Sequence, residues 1–220
     1  GLSIAKELLD IGCRVIGLSR TLTNETKLLI KEFGEENYIQ IDYDLSNVDG
    51  IKSLYRNVLR PLTKNGGIFG FVNNAATAYD DIITNLNYEA LEVMYRVNVF
   101  SPMILTKYVI RDMLLNKNRG GIVHISSVSA HTGYKGLAMY ASTKGALEAF
   151  SKNTSREWGG LGIRSNVVCP GFMETEMSST LSEEQKNRIF NRNSMKKPVE
   201  IGTVASSVAF LLSDKAKGIT

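Results

Sequence analysis

Two kinds of hydrophobic pattern alternate along the chain. Short runs rich in β-branched residues occur at "RVIGLS" (14–19), "YIQIDYD" (38–44), "GFVNN" (70–74), "GIVHISS" (121–127) and "IRSNVVCP" (163–170). Between them lie longer segments whose apolar residues recur at helical spacing. These are "KLLIKEFG" (27–34), "VDGIKSLYRNVL" (48–59), a stretch from about Tyr88 to Lys117 and another from about Leu137 to Trp158. Strands that are apolar on both faces, alternating with helices, predict a parallel sheet covered on each side. The expected fold is therefore α/β, a doubly wound parallel sheet. With no repeat, linker or low-complexity tract, residues 1–220 read as one domain.

In such a sheet, ligands bind beyond the carboxyl ends of the strands. The candidates are then Ser19-Arg20, Asp44-Leu45, Asn73-Asn74, Ser126-Ser127 and Cys169-Pro170-Gly171. Composition narrows the picture further. The chain has 220 residues, 43% hydrophobic, with a net charge of +4, which is enough for a core and too mild to imply nucleic acid. No apolar run approaches the ~18 residues of a membrane span. Lys6, Glu7 and Asp10 break the apolar core that a secretory signal needs. The two cysteines, Cys13 and Cys169, lie far apart and read as reduced thiols of a cytoplasmic protein. No metal-ligand spacing is present, and His124, inside an apolar run, reads as a core histidine.

"MYASTK" (139–144) carries the most specific chemistry. Of nine tyrosines, only Tyr140 has a lysine four residues on, Lys144, which places both on one helical face. Ser127 closes a strand thirteen residues earlier. Asn98 interrupts the apolar "YRVNVFSPM", where a buried amide is costly unless used. Asn98, Ser127, Tyr140 and Lys144 together resemble the tetrad of the short-chain dehydrogenase/reductase family. "NNAA" (73–76) is similar to its NNAG motif, with Ala76 in place of glycine. "DLS" (44–46) resembles its adenine-contacting turn, and "PGFMETEM" (170–177) its PG motif and the start of its substrate loop. The resemblance spans nearly the whole chain and is nearest to the 3-oxoacyl-carrier-protein reductase branch.

This resemblance implies a Rossmann-like fold and a hydride-transferring enzyme. A cation lowers a phenol's pKa, and moving it from ~10 to ~7 takes about 4 kcal/mol. Lys144 and an oxidised nicotinamide are expected to supply that, making Tyr140 a general acid or base. Ser127 is expected to hold the carbonyl oxygen; Ser126 competes by sequence, and the family spacing selects Ser127. The resemblance also gives Lys144 a ribose contact and Asn98 a proton-relaying water.

The strand end "GLSR" has Ser19 where NAD-dependent relatives carry aspartate, followed by Arg20, which suits the 2′-phosphate of NADP. The resemblance places Asp44 and Leu45 against the adenine and Asn74 on the ribose side. It places Pro170, Gly171, Met173 and Thr175 near the carboxamide. Gly1 matches the last glycine of the family's TGxxxGxG turn. The first strand and the final one are expected outside these residues, with about 10–20 further N-terminal residues in the natural protein.

For the substrate, the basic segment 183–197 reads either as a cover that greets an anion or as a solvated helix face. Two arginines that bind the acidic carrier in carrier-protein reductases align with Leu161 and Asn118, with Arg119 adjacent. The expected partner is a small carbonyl or alcohol, either a 3-oxoacyl thioester or a sugar-like polar molecule, and neither nucleic acid nor membrane. A non-catalytic dinucleotide-binding regulator is the alternative of another class. The segments 88–117 and 137–158 match those through which the family pairs subunits, so a homodimer or homotetramer is expected.

Overall fold

In the computed structural model, which describes residues 1–175 and 181–220, the α/β alternation is realised with five parallel strands. The order is α1 (Leu2–Asp10), β1 (Val15–Ser19), α2 (Asn24–Phe33), β2 (Tyr38–Asp42) and α3 (Ile51–Leu54). From α3 a π turn (Tyr55–Leu59) leads into α4 (Arg60–Thr63) and then β3 (Gly70–Asn73). Next come α5 (Tyr88–Tyr95), a second π turn (Arg96–Phe100), α6 (Ser101–Leu115), β4 (Gly121–Ile125) and α7 (Ala138–Trp158). The chain ends with β5 (Arg164–Val168), α8 (Glu183–Arg192) and α9 (Ile201–Leu212). Every predicted strand is present; β1 ends at Ser19 as the sequence reads it, and the other four stop one or two residues early. The residues that close those four runs leave the sheet and form loops at its carboxyl edge.

Local chemistry sets several boundaries. Thr23 caps α2 by accepting the Thr26 amide at 3.3 Å, and Asn87 caps α5 by accepting the Ala90 amide at 2.8 Å. Ser182 and Gln185 form a reciprocal capping box at the start of α8. The turn into β5 needs glycine: Gly162 has φ +81°, and a Cβ there would lie 2.9 Å from the Arg119 side chain.

The strands fall into two sheets. β1 pairs with β2, Val15 opposite Tyr38 through Ser19 opposite Asp42. β3, β4 and β5 form the other, with Gly70 opposite Gly121 and Gly121 opposite Arg164. Among the described residues no ladder joins β1 to β3. Residues of both strands instead line a cavity of about 1030 Å³, together with Ile4 and Leu8 of α1 and Leu105 and Val109 of α6. The consequence shows in burial. All five residues of β4 are buried, whereas Val15, Ile16 and Leu18 of β1 remain half-exposed despite an equally apolar sequence.

Helices cover both faces. Val123 and Ile125 of β4 pack with Ile4, Ala205, Val208 and Leu212 of α1 and α9. On the opposite face, Val109, Ile110 and Met113 of α6 meet Ile122 of β4 and Ile163. A buried Leu, Ile or Val side chain contributes about 1.5–3 kcal/mol. These two layers hold β4 in place, and the end of β4 leads to Ser126 and Ser127.

Candidate active site

α7 is one uninterrupted helix through residues 138–158, so Tyr140 and Lys144 share a face as the spacing predicted. Lys144 is 2% exposed, and its Nζ donates to the carbonyl of Ile125, the last residue of β4, at 2.8 Å. The same Nζ lies 5.5 Å from the centroid of the Tyr140 ring. One lysine thus ties the helix that carries the phenol to the strand end that carries the serines.

The two serines point to different partners. Ser126 is buried and donates to Glu148 Oε1 at 2.6 Å, against α7. Ser127 is half-buried, and its Oγ accepts the Ser129 amide at 3.2 Å and the Ser129 hydroxyl at 3.0 Å. Those two acceptances leave the Ser127 hydroxyl proton to be donated. The two side chains thus point apart, as expected of neighbouring residues in extended backbone, and Ser126 is committed to Glu148.

Asn98 is fully buried in the π turn between α5 and α6. Its Oδ1 accepts the Thr77 amide at 2.8 Å, and its Nδ2 donates to the Thr77 carbonyl at 2.8 Å and to Thr143 Oγ1 at 3.1 Å. The side chain is therefore a clamp on the 73–77 segment. Both amide protons are spent on protein groups, so the sequence expectation of a water held by this residue has to rest on other atoms. A π turn at such a place leaves backbone carbonyls out of the helical ladder, and such turns recur at functional sites.

The electrostatics of the protein alone differ from those expected with an oxidised nicotinamide beside Lys144. Burial raises the Tyr140 phenol above its ordinary value, and the Asp80 carboxylate adds to that. The same burial pushes Lys144 down to about 8. The expected lowering joined Lys144 with an oxidised nicotinamide; in the protein alone the Lys144 ammonium is hydrogen-bonded to the Ile125 carbonyl, and desolvation is the leading influence on the phenol. Tyr140 is thus held protonated, the form that donates. Asp80, itself raised by burial, is a site residue that sequence reasoning missed, as are Thr77, Ser129 and Thr143. Their roles depend on tertiary contacts, and only the position of Thr143, next to Lys144, carries any signal in the chain.

His124 beside the site is a core histidine, as predicted. It is fully buried, bonds Asn73 Nδ2 through Nδ1 at 3.0 Å and is lowered to about 4, chiefly by burial and then by the Lys144 charge. Because Asn73 donates, Nδ1 accepts and the proton sits on Nε2.

Five of the predicted cofactor residues lie around one cavity, and Asp44, Tyr140, Lys144, Pro170, Gly171, Met173 and Thr175 are not among its lining. Gly1, Ser19, Arg20, Leu45 and Asn74 all line the large cavity. Gly1 is the N-cap of α1, and a Cβ there would lie 3.1 Å from Asn74 Nδ2, so the helix terminus and that amide meet closely. Ser19 Oγ donates to the Thr21 carbonyl and accepts from Gln40. Arg20 is exposed and makes no hydrogen bond or ion pair among the described residues. The Asp44 carboxylate accepts the Ser46 amide at 2.8 Å, which lowers its pKa, and the Arg20 charge lowers it further. Pro170 is buried, with its carbonyl accepting the Val128 amide at 3.2 Å; Gly171 lies against Val199, and Met173 is half-buried with Thr175 exposed beyond it. Glu176 and Met177, the end of the PG-motif stretch, lie outside the described residues.

The basic segment 183–197 is resolved into local pairs. Lys186 meets Glu183 at 2.7 Å and Glu174 at 3.6 Å, Arg188 meets Glu184 at 2.6 Å, and Lys197 meets Glu200 at 3.3 Å. Of its two readings, the solvated helix face is the one the geometry favours. Asn118 donates to the carbonyls of Gly66 and Ile68, and Leu161 is 58% exposed.

Residues 1–220 match the family described as enoyl-(acyl carrier protein) reductase. The chain is 32% identical over 220 residues to the 3-oxoacyl-[acyl-carrier-protein] reductase of Buchnera aphidicola, covering 100% of this chain and 88% of that protein. It is 34% identical over 230 residues to the Escherichia coli protein of the same name, with the same coverage. Its fold superposes with a TM-score of 0.86 on a gluconate 5-dehydrogenase from Burkholderia cenocepacia solved with NADP and tartrate. That match covers 100% of this chain and 87% of the other at 22% identity. A Rossmann-type sheet, a tyrosine and lysine one helical turn apart, and full-length matches of this kind place the chain in the short-chain dehydrogenase/reductase family of oxidoreductases.

Proposed function

We propose that the protein interconverts a carbonyl and a secondary alcohol with NADP as its cofactor and Tyr140 as proton donor or acceptor. The observation that carries this reading is the anchoring of buried Lys144 to the end of β4 beneath the Tyr140 ring. That contact sets a phenol, an ammonium and the Ser127 hydroxyl around one strand end.

The residues at the edge fit the dinucleotide. A helix N-terminus at Gly1 suits a pyrophosphate. The guanidinium of Arg20 is unpaired among the described residues and lines the cavity, ready for a 2′-phosphate. Leu45 offers an apolar wall and Asn74 a donor. When bound, the dinucleotide supplies or accepts the hydride. The chain's own groups handle the oxygen. Ser127 donates to it, and Tyr140 delivers a proton to it in reduction or removes one in oxidation. The raised phenol favours the donating role in the protein alone, and the Lys144 charge tempers the cost of the phenolate.

The names of the relatives support a 3-oxoacyl thioester as the substrate. Against tight use of an acidic carrier stand Leu161 and the committed amide of Asn118, which leave Lys117 and Arg119 as the cations flanking that turn. We therefore place the acyl portion, rather than the carrier, at the centre of recognition, with other small polar carbonyls as the competing class. We also infer that the protein works as a homo-oligomer paired through α5–α6 and α7; Val93, Phe100 and Leu115 leave apolar surface there. The deciding experiment follows NADPH consumption by the full-length protein against 3-oxoacyl thioesters and a panel of sugars and small ketones. NADPH-dependent reduction of any member supports the assignment. No turnover with any carbonyl or alcohol, in either direction, contradicts it.

A further inference from the structure

We propose that His131, Glu148 and Cys169 form a site for a borderline divalent cation, Zn²⁺ being the ion their donor set selects. The reading does not depend on the substrate or cofactor assigned above. The three ligand atoms lie within 4.8 Å of one another. His131 Nε2 is 3.0 Å from Glu148 Oε1 and 2.9 Å from Oε2, Cys169 Sγ is 3.3 Å from Oε1, and Cys169 Sγ is 3.8 Å from His131 Nε2. Zinc binds nitrogen and oxygen at about 2.0–2.2 Å and sulfur at about 2.3 Å. A tetrahedron with those radii has edges of roughly 3.3–3.6 Å. The observed triangle reaches that face with shifts of a few tenths of an ångström. One nitrogen, one oxygen and one sulfur suit a borderline cation better than a hard one.

The surroundings are those of a supported site. Ser126 donates to Glu148 Oε1 at 2.6 Å and orients the carboxylate. Glu148 is buried, while His131 and Cys169 are exposed, which leaves the fourth corner open to water. A cysteine–histidine–carboxylate nucleophile is a poor alternative. Such a triad needs the carboxylate on the ring nitrogen away from the sulfur. Here the same Nε2 faces both. Binding would release the thiol proton of Cys169, leaving two negative ligands to balance the ion's charge.

Placement gives the site its interest. His131 ends the turn that starts at Ser127, Glu148 lies one helical turn beyond Lys144, and Cys169 precedes Pro170. The ligands are 17, 21 and 38 residues apart, so no spacing in the sequence displays them. A bound cation would cross-link the segments that carry Ser127 and Tyr140–Lys144 to the one that leads into Pro170.

The test is a Co²⁺ titration of the reduced protein, read by absorption. The expected result is a thiolate-to-cobalt charge-transfer band and tetrahedral d–d bands that saturate at one equivalent and vanish when Zn²⁺ is added. Cys169→Ser is expected to abolish the charge-transfer band, and His131→Ala, a change at an exposed side chain, to weaken binding at least tenfold. Cys13→Ser should leave both unchanged. Absence of the band in the unmodified protein, its survival in Cys169→Ser, or its loss in Cys13→Ser would overturn the proposal.

Discussion

Replacing Asn98 by alanine tests how far the active-site frame depends on one buried amide. The substitution removes the partners of the Thr77 amide and the Thr77 carbonyl, both at 2.8 Å. The Thr143 hydroxyl keeps its bond to the Tyr140 carbonyl at 2.7 Å, so it adds little. A buried polar group left unpaired costs about 1–3 kcal/mol. Two such groups, at a position with no solvent exposure but beside a half-buried Thr77, give about 2–4 kcal/mol. That is a sizeable share of a domain stability of ~5–15 kcal/mol. In a protein of this size it corresponds to roughly 4–16 °C in melting temperature. Chemical denaturation of the full-length protein and its variant reads the loss directly. Thr143→Val, which removes one of the three Asn98 contacts, is expected to cost less, about 1 kcal/mol. NADPH affinity should fall in Asn98→Ala as well, because Thr77 anchors the strand-end segment that includes Asn74. An Asn98→Ala variant within about 0.5 kcal/mol of the parent would refute the clamp, since surface-like changes fall in that range.

Three further outcomes follow from the same geometry. Arg20→Ala is expected to weaken NADPH about 10- to 150-fold, the range of a hydrogen bond to a charged group, while NADH changes little; equal losses would remove Arg20 from the 2′-phosphate. Use of carrier-bound 3-oxoacyl groups is expected to exceed use of small thioester mimics only slightly, because Leu161 offers no charge; a large carrier preference in kcat/KM would contradict this. Residues 1–220 expressed alone are expected to lack a stable cooperative fold, since β1 and β3 flank an unfilled cavity and each unpaired ladder group costs ~1–3 kcal/mol. A cooperative thermal transition raised by NADPH would show that the cavity matters less than this.

The sequence made the strand–helix alternation readable because β-branched runs and helical spacing differ in period over long enough windows. It misjudged the strand ends for a physical reason. Asp44, Asn74, Ser127 and Pro170 continue their strands in pattern while their backbones have already turned toward the cleft. The π turn at 96–100 was hidden because one inserted residue barely disturbs an apolar run. The split between β1 and β3 was hidden because half-exposed Val15 and fully buried Val123 look alike in sequence. Within the site, Tyr140 and Lys144 were legible because their partnership is local to one helix. The acceptor of the Lys144 ammonium, Ile125, and the carboxylate that bears on Tyr140, Asp80, come from elsewhere in the fold. That is why the phenol's shift in the protein alone could not be read from the helix. The charge of 183–197 was likewise countable, but its pairing with Glu174 and Glu200 required the structure.

Tyr140→Phe tests the central claim most directly, because it keeps the ring and removes the proton. Turnover and NADPH binding of the full-length variant should be measured side by side on whichever carbonyl the screen identifies. A general acid contributes typically ~10²–10⁴-fold, so turnover should fall by that factor while the NADPH dissociation constant stays nearly unchanged. Turnover within about threefold of the parent, far inside that range, would show that Tyr140 is not the proton donor.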